Sequence, residues 1–317
     1  MAKYRNKLPQ LEGRLFVTEG GIITTLIYKR KIDLPYLATF PLLDDPKGRE
    51  ELLLFAREYI DVARRYGHGI ILDTPTWRAN PDWGAKLNYD SDKLRAVNEQ
   101  SVEHLLALRD EYETAQSPMV INGAIGPRGD GYQVGYMTAA ESEDYHHDQI
   151  ECFARSEADL ITAYTLTSVE EATGIANAAA ASGIPCAISF TVETDGRLAS
   201  GVSLGEAIER VDTATNGSPA YYMINCAHPT HFELGFATDA PWMKRLRGIR
   251  ANPSAMSHAE LDQLTELQAG DPLDFGSRYR VLLRSMPALT IVGGCCGTDG
   301  THLAAVCEAC IENSEYV

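Results

Sequence analysis

The chain has 317 residues, too many for one small module and too few for two ordinary enzymes, so we expect one large domain or two modest ones. Hydrophobic residues make up 44% of it and charged residues 23%, which excludes disordered and collagen-like proteins. Asp and Glu outnumber Lys and Arg by 44 to 28, and the resulting charge of −16 repels nucleic-acid phosphates and anionic membranes.

Short apolar runs alternate along the chain with longer stretches of helical spacing, a pattern typical of βα units around a parallel sheet. In chain order, the predicted strands are 15–17, 69–72, 119–121, 160–162, 186–188, 222–224, 248–250 and 289–292. The predicted helices are 49–66, 91–112, 138–156, 168–182, 204–214, 257–267, 275–285 and 299–312. Eight strands and eight helices predict an α/β fold of the (β/α)8 TIM barrel type.

The pattern runs without a break from one end of the chain to the other. No Pro/Gly/Ser-rich linker or shift of composition divides it, so we predict a single domain over residues 1–317. A doubly wound open sheet is the alternative, although a G-x-G-x-x-G motif after the first strand and a P-loop are both missing.

A barrel builds its active site at the C-terminal ends of its strands. Polar residues, glycines and three of the seven cysteines follow the predicted strands. They are Glu19-Gly20-Gly21, Asp73 to Trp77, Asn122-Gly123, Tyr164-Thr165, Ser189-Phe190, Asn225-Cys226, Asn252-Pro253 and Gly293 to Thr298.

Cys295 and Cys296 are adjacent and flanked by glycines at one strand end, and Cys226 ends another strand. Only one strand separates these two in an eight-stranded barrel, so the three sulfurs can meet at one ion. Three thiolates suit Zn²⁺ and leave a fourth position open for a reactant. The alternative is that they are ordinary buried cysteines. The C-x-x-C pair of Cys307 and Cys310 lies in a helical pattern that favours packing.

Several segments resemble one known family. They are GGCCGT at 293–298, INC at 224–226, Glu19-Gly20-Gly21, Gly126-Pro127 with Gly129, and Ser189-Phe190-Thr191. In this order, over essentially the whole chain, they resemble the zinc-dependent homocysteine S-methyltransferases, a family that includes betaine-homocysteine methyltransferases and the homocysteine half of cobalamin-dependent methionine synthase. The resemblance implies that Cys226, Cys295 and Cys296 hold Zn²⁺, which activates a homocysteine thiol for methylation to methionine.

The class of methyl donor is predicted from the chemistry of methyl transfer and the length of the chain. Sulfonium and quaternary ammonium donors are activated by their positive charge, whereas a neutral folate needs protonation or cobalamin, and the barrel leaves no length for a cobalamin or folate domain. We therefore expect S-methylmethionine, S-adenosylmethionine or a betaine. Trp77, Trp83, Tyr132 and Tyr164 offer cation–π faces, although aromatic residues at strand ends also serve packing.

Two positions depart from the family pattern. Glu19 stands where the family usually has Asp, and Tyr164 stands where it has the Glu that binds the homocysteine ammonium. Asp73 is either a substitute acid or a loop-capping carboxylate. Arg78, Arg128 and Arg250 could bind a substrate carboxylate or simply provide surface charge.

From these residues we predict a substrate site comprising Glu19, Gly20, Asp73, Trp77, Asn122, Tyr164 and Asn252. The partners expected are a small amino acid thiol and a methyl donor, and the oligomeric state stays open. Two alternatives to homocysteine methylation remain. One keeps the zinc chemistry with another thiol or selenol acceptor or a quaternary-amine donor, and the other is a non-catalytic, zinc-holding barrel.

The first residues carry basic charge but no apolar core for a secretory signal, and no run approaches the ~18 apolar residues of a membrane helix. An odd number of cysteines, seven, spread over a long chain is not a disulfide framework. We therefore expect a cytoplasmic protein.

Overall fold

The computed structural model describes residues 1–233 and 240–314, with side chains described as far as residue 310. Eight parallel strands pair in sequence order and close into a barrel, which confirms the predicted fold. The strands are β1 (Phe16–Thr18), β2 (Gly69–Asp73), β3 (Met119–Ile125), β4 (Leu160–Leu166), β5 (Cys186–Phe190), β6 (Tyr221–Asn225), β7 (Leu246–Ala251) and β8 (Ile291–Gly294).

The α-helices lie between and after the strands. They are α1 (Ile22–Thr24), α2 (Pro46–Tyr66), α3 (Pro81–Lys86), α4 (Ser91–Tyr112), α5 (Ala139–Arg155), α6 (Val169–Ser182), α7 (Leu204–Thr215), α8 (Pro229–Phe232), α9 (His258–Leu261), α10 (Pro272–Ser285) and α11 (Gly300–Ser314). None of the helices in the described part of the chain is both long and apolar enough to cross a membrane.

Local signals in the sequence set several of the helix ends. Asp45 caps α2 by accepting from the Gly48 N–H, and Gly67, with φ of 67°, ends the same helix in the left-handed conformation that glycine adopts without strain. Thr138 and Glu141 form a reciprocal capping box at the start of α5. The long helices therefore begin and end within a few residues of their predicted bounds.

The helix predicted over 257–267 is wrong in its extent. A capping box between Ser257 and Glu260 starts α9, but the helix ends at Leu261. Leu261, Leu264 and Leu267 have helical spacing, yet they line a cavity at the barrel mouth. Their periodicity therefore reflects a loop folded over the mouth, which sequence spacing alone does not distinguish from a helix.

The apolar core of the barrel has two layers, and a third cluster lies in the segments after β1 and β2. The larger layer lies between the strands and the surrounding helices. The smaller layer fills the barrel interior with side chains such as Phe16, Ile71, Val120 and Tyr221, and Leu8 of the N-terminal segment packs against it. Because the interior is filled, the mouth at the C-terminal strand ends is left as the place for a ligand.

Candidate metal and substrate site

A cavity of about 470 Å³ opens at the C-terminal mouth of the barrel. Loops after β1, β2, β3, β6, β7 and β8 contribute to its wall. The predicted site residues on the wall are Glu19, Gly20, Asp73, Trp77, Tyr164, Asn252, Cys226, Cys295 and Cys296. Asn122 lies beneath the wall, fully buried, and donates from Nδ2 to the Asp73 carboxylate over 2.6 Å.

The three cysteines meet at one side of this cavity. Their sulfurs all lie within 4.8 Å of one another, and Cys226 Sγ is 4.0 Å from Cys296 Sγ. Cys226 and Cys295 are joined as a disulfide with Cα atoms 5.4 Å apart, so both must be reduced before they can bind a metal. The structure therefore brings together the three residues that the sequence pattern singled out.

The backbone holds Cys226 in a strained position. Its φ of 54° lies in the left-handed region, which costs a non-glycine residue free energy. The carbonyl oxygen of Cys226 accepts hydrogen bonds from Asn252 Nδ2 (3.0 Å) and His258 Nε2 (2.6 Å), and these stabilise the turn. Asn252 thus positions a cysteine as well as lining the cavity.

Glycine is required where the first loop meets the cysteine pair. A Cβ atom at Gly21 would lie 2.7 Å from the carbonyl oxygen of Cys295 and 3.1 Å from the Cα of Cys296, and both contacts are with backbone that cannot rotate away. Gly21 therefore allows the loop after β1 to pack directly on the loop that carries two of the sulfurs.

The cysteine donor set fits zinc. Tetrahedral Zn²⁺ with bonds of about 2.3 Å to sulfur holds its ligands about 3.8 Å apart, close to the Cys226–Cys296 separation. Burial raises the pKa of the Cys296 thiol, and the hydrogen-bonded hydroxyl of Tyr132 opposes that shift. A divalent cation would favour the thiolate form of all three side chains.

The cavity also holds a charged network centred on Asp73. Its carboxylate accepts from Asn122 and from the Tyr164 hydroxyl (3.1 Å) and forms a buried ion pair with Arg250. Arg250 also donates to the carbonyl oxygens of Gly294 and Glu19, each over 3.2 Å. The network thus joins β2, β3, β4, β7 and β8 to the loop after β1.

Glu19 has one carboxylate oxygen that is left open, which means that no described hydrogen bond reaches it. Its Oε2 accepts from the Asp73 N–H over 3.1 Å, and within the described residues no hydrogen bond reaches Oε1. Burial, with a smaller contribution from the negative charge of Asp73, raises the pKa of Glu19 to about 8. This carboxyl is therefore largely protonated at neutral pH in the free protein.

Comparison with known proteins identifies the family. Residues 16–310 match the family model for homocysteine S-methyltransferase. The chain belongs to this family. It is therefore an enzyme of the homocysteine S-methyltransferase class.

Relatives of known sequence or structure agree with this assignment. The chain is similar to betaine-homocysteine S-methyltransferase 1 of Rattus norvegicus, with 25% identity covering 93% of this chain and 72% of the relative. It shares its fold with crystal structures of the Escherichia coli homocysteine methyltransferase MmuM. The oxidized form gives a TM-score of 0.71 at 20% identity, covering 96% and 98% of the two chains. The metallated form gives 0.69 at 19%, covering 93% and 96%.

Tyr164, the departure from the family pattern, lies at an irregularity of β4. The register of β4 against β5 shifts between Ala163 and Leu166, and Thr165 has φ of 64°. Asn225 stabilises this turn, because its Oδ1 accepts from the Thr165 N–H and its Nδ2 donates to Thr165 Oγ1, both over 2.9 Å. The bulge directs the Tyr164 hydroxyl to Asp73, and the guanidinium of Arg250 covers its ring at 4.8 Å.

The aromatic and basic candidates divide into two groups. Trp77, Tyr132 and Arg78 line the cavity. Trp83 lies off the cavity wall, and its ring packs against Arg78 and Lys86. The Arg128 side chain is half exposed and pairs with Asp82, so it contributes to the surface of a loop rather than to the cavity.

His258 and Asn225 hold residues of the candidate site in place, and sequence reasoning did not select them for a role. His258 follows the capping residue of α9, reaches the Cys226 carbonyl and packs its ring on Tyr132 with centroids 4.2 Å apart. A capping box in the loop after a strand was the available signal, but it marks a helix start and not what the next side chain contacts.

Proposed function

We propose that this protein transfers a methyl group from a cationic donor to the thiolate of homocysteine held at a zinc ion, giving methionine and the demethylated donor. The observation that carries the proposal is the convergence of Cys226, Cys295 and Cys296 on one wall of the mouth cavity. A zinc ion bound there would supply the Lewis acidity that keeps a substrate thiol deprotonated at neutral pH.

The protein's own residues then orient the acceptor. Glu19 Oε1 faces the cavity without a described partner, so it is available to bind the acceptor's ammonium group. Binding a cation would lower the pKa of Glu19 and favour its ionised form. Asp73 is less suited to this task, since its two oxygens already accept from Asn122, Tyr164 and Arg250.

Trp77 and Tyr132 provide aromatic surface on the cavity wall for a positively charged donor. S-methylmethionine, S-adenosylmethionine and betaines all carry the required charge. The donor's methyl carbon must lie about 3 to 3.5 Å from the attacking sulfur, with the leaving group pointing away. A cavity lined by both the sulfurs and aromatic rings supports this arrangement.

A different acceptor is the second candidate, and Tyr164 favours it. A tyrosine bonded to Asp73 gives no carboxylate for an ammonium group, and the Arg250 cation lies against its ring. Another small thiol whose recognition does not depend on an ammonium group would fit this wall. Selenohomocysteine keeps the ammonium group and differs from homocysteine only in its reacting atom. The non-catalytic alternative has no observation in its favour.

A substrate screen tests these proposals. The protein is treated with a thiol reductant, loaded with Zn²⁺ and incubated with homocysteine and each of the three donor types, and methionine is followed by mass spectrometry. We expect methionine with at least one donor. Methylation of selenohomocysteine or another thiol, with none of homocysteine, would support the second candidate. No methyl transfer to any acceptor would refute both.

A further inference from the structure

Among the described residues, one basic side chain at the cavity has neither an ion-pair nor a hydrogen-bond partner. Arg78 follows β2, lines the mouth cavity and is 8% exposed. Its Nε and Nη1 atoms are buried without a hydrogen bond, and across residues 1–233 and 240–314 the guanidinium forms no ion pair. Burial lowers the pKa of Arg78, but an arginine starts so high that it stays charged.

Burying a cation without an ion-pair partner costs free energy, so the groups that surround Arg78 must offset part of that cost. The rings of Trp77 and Trp83 pack on the guanidinium, with their centroids 4.7 Å and 3.9 Å from Cζ. Contacts with ring faces leave the in-plane N–H groups without acceptors. Asp130 is near enough to act on Arg78 electrostatically, yet it forms no ion pair with it and its Oδ1 accepts from the Tyr132 N–H.

The second arginine of the cavity gives an internal control for this reasoning. Arg250 is equally buried, but it is paired with Asp73 and donates to two carbonyl oxygens. Its donors are therefore used within the protein. Arg78 keeps an in-plane fork of N–H groups that matches a carboxylate.

We propose that Arg78 binds the carboxylate of the methyl donor. This inference rests on the proposed function and assigns a binding residue to the carboxylate that S-methylmethionine, S-adenosylmethionine and betaines share. The position of Arg78 favours the donor over the acceptor, because Arg78 stacks on Trp77, whereas the open oxygen of Glu19 lies in the Asp73 network. A simple cation without an anionic group would meet the guanidinium unfavourably.

The first experiment measures binding and needs no turnover. The zinc-loaded protein is titrated calorimetrically with S-methylmethionine and with glycine betaine, each compared with its methyl ester, and no thiol acceptor is present. We expect at least one acid to bind about 10- to 100-fold more tightly than its ester, the range for a charge-assisted pair. The Arg78→Gln variant should lose this preference, and Arg78→Lys should keep part of it.

A matched control is Arg64→Gln. Arg64 is exposed on α2 and also stacks on an aromatic ring, that of Tyr112 at 5.7 Å, but it does not line the cavity. This variant should keep the full preference for the acid. If Arg78→Gln unfolds, the acid-to-ester ratio of the wild type and the Arg78→Lys variant still decide the question.

Turnover shows whether Arg78 binds the carboxylate of the donor or that of the acceptor. In Arg78→Gln we expect the donor KM to rise about 10- to 100-fold while the acceptor KM stays within twofold. A rise of the acceptor KM alone would overturn the inference, since the carboxylate would then be the acceptor's. Equal binding of acid and ester by the wild type would overturn it too. Loss of the proposed function alone would appear as acid-selective binding without methyl transfer to any thiol.

Discussion

On the sulfur side of the barrel mouth, the three sulfurs lie together, and their described contacts are with one another and with the Tyr132 hydroxyl. On the charged side, which is the network around Asp73, nearly every polar atom already has a partner. Asp73 alone has three partners, and Arg250 has at least three acceptors. The sulfur side is therefore arranged to bind a metal ion. The charged side holds a fixed geometry, in which Glu19 offers a carboxylate oxygen to a substrate.

The largest effect should come from the sulfur side. Replacing any one of Cys226, Cys295 or Cys296 by Ser removes a thiolate ligand, so zinc retention after dialysis and turnover should be lost together. The loss of kcat/KM should exceed about 100-fold, the upper range for changing an outer partner of a metal ligand. Metal analysis and methionine formation measure the two effects.

Cys152→Ser is the matched control for those variants. Cys152 is a buried cysteine of α5 outside the cavity, so its replacement should leave zinc content and turnover near wild type. Full zinc retention by Cys226→Ser would contradict the assignment of metal binding to the sulfur side of the mouth.

Substitutions on the charged side should lower the free energy of unfolding. Arg250→Met leaves the Asp73 carboxylate buried without its cation, and breaking such a pair costs about 3–5 kcal/mol of unfolding free energy. Urea unfolding measures this. The double variant Arg250→Met with Asp73→Asn should recover part of the loss, because it leaves no unpaired charge.

The partly exposed pair of Arg245 and Asp212 provides the comparison for the buried pair. Arg245 Nε donates to Asp212 Oδ2 over 2.9 Å, and solvent screens the charge left behind by Arg245→Met. The cost should be clearly smaller than for Arg250→Met. Equal costs would show that the buried network has no special role in the fold.

Glu19 should make acceptor binding depend on pH. Its pKa is raised to about 8, so the ionised form that binds an ammonium becomes populated as pH rises toward 8, and the acceptor KM should fall over that range. Glu19→Gln should raise this KM about 10- to 100-fold and flatten the profile. An unchanged KM would assign the ammonium to another group.

The same pKa shift predicts an effect on stability with the opposite pH trend. The folded protein favours the neutral carboxyl, so the stabilising contribution is complete below the ordinary value of 4.5 and is lost as pH rises from there to about 8. Urea unfolding of wild type and Glu19→Gln across this range should show the wild type losing stability relative to the variant. Parallel curves would contradict the assigned pKa.

The smallest effect is expected at Tyr164. Tyr164→Phe removes one hydrogen bond to Asp73, which keeps its bonds from Asn122 and Arg250, so unfolding free energy should fall by about 0.5–1.5 kcal/mol. If Tyr164 selects a different acceptor, Tyr164→Glu should improve homocysteine turnover. No change in acceptor preference in either variant would make the tyrosine a purely structural member of the network.

The barrel and the cysteine cluster could be predicted from the sequence because their signals are local. Each strand is a short apolar run, and Gly293 to Thr298 lie together in the chain. The charged network could not be predicted, since Asp73 and Arg250 are 177 residues apart and meet only when the barrel closes. Each of the two is a candidate site residue by its place after a strand, but their spacing in the sequence gives no reason to pair them.

The bulge of β4 and the loop after α9 could not be predicted for the same reason. The bulge at Tyr164 and Thr165 depends on Asn225 from another strand, so the sequence around β4 does not reveal where the tyrosine points. The leucines after α9 have the spacing of a helix face but line the mouth instead. In each case a partner distant in sequence decides the local structure.

The left-handed backbone at Thr165 and Cys226 also limits how this mouth can be re-engineered. β-branched and bulky residues rarely adopt positive φ, and Thr165 is tolerated here with Asn225 bonded on both sides of it. A combinatorial library at these two positions would consist mostly of chains that fold poorly. New substrate preferences are better sought at Trp77 and Tyr132, whose backbones are free of this constraint and whose side chains face the cavity.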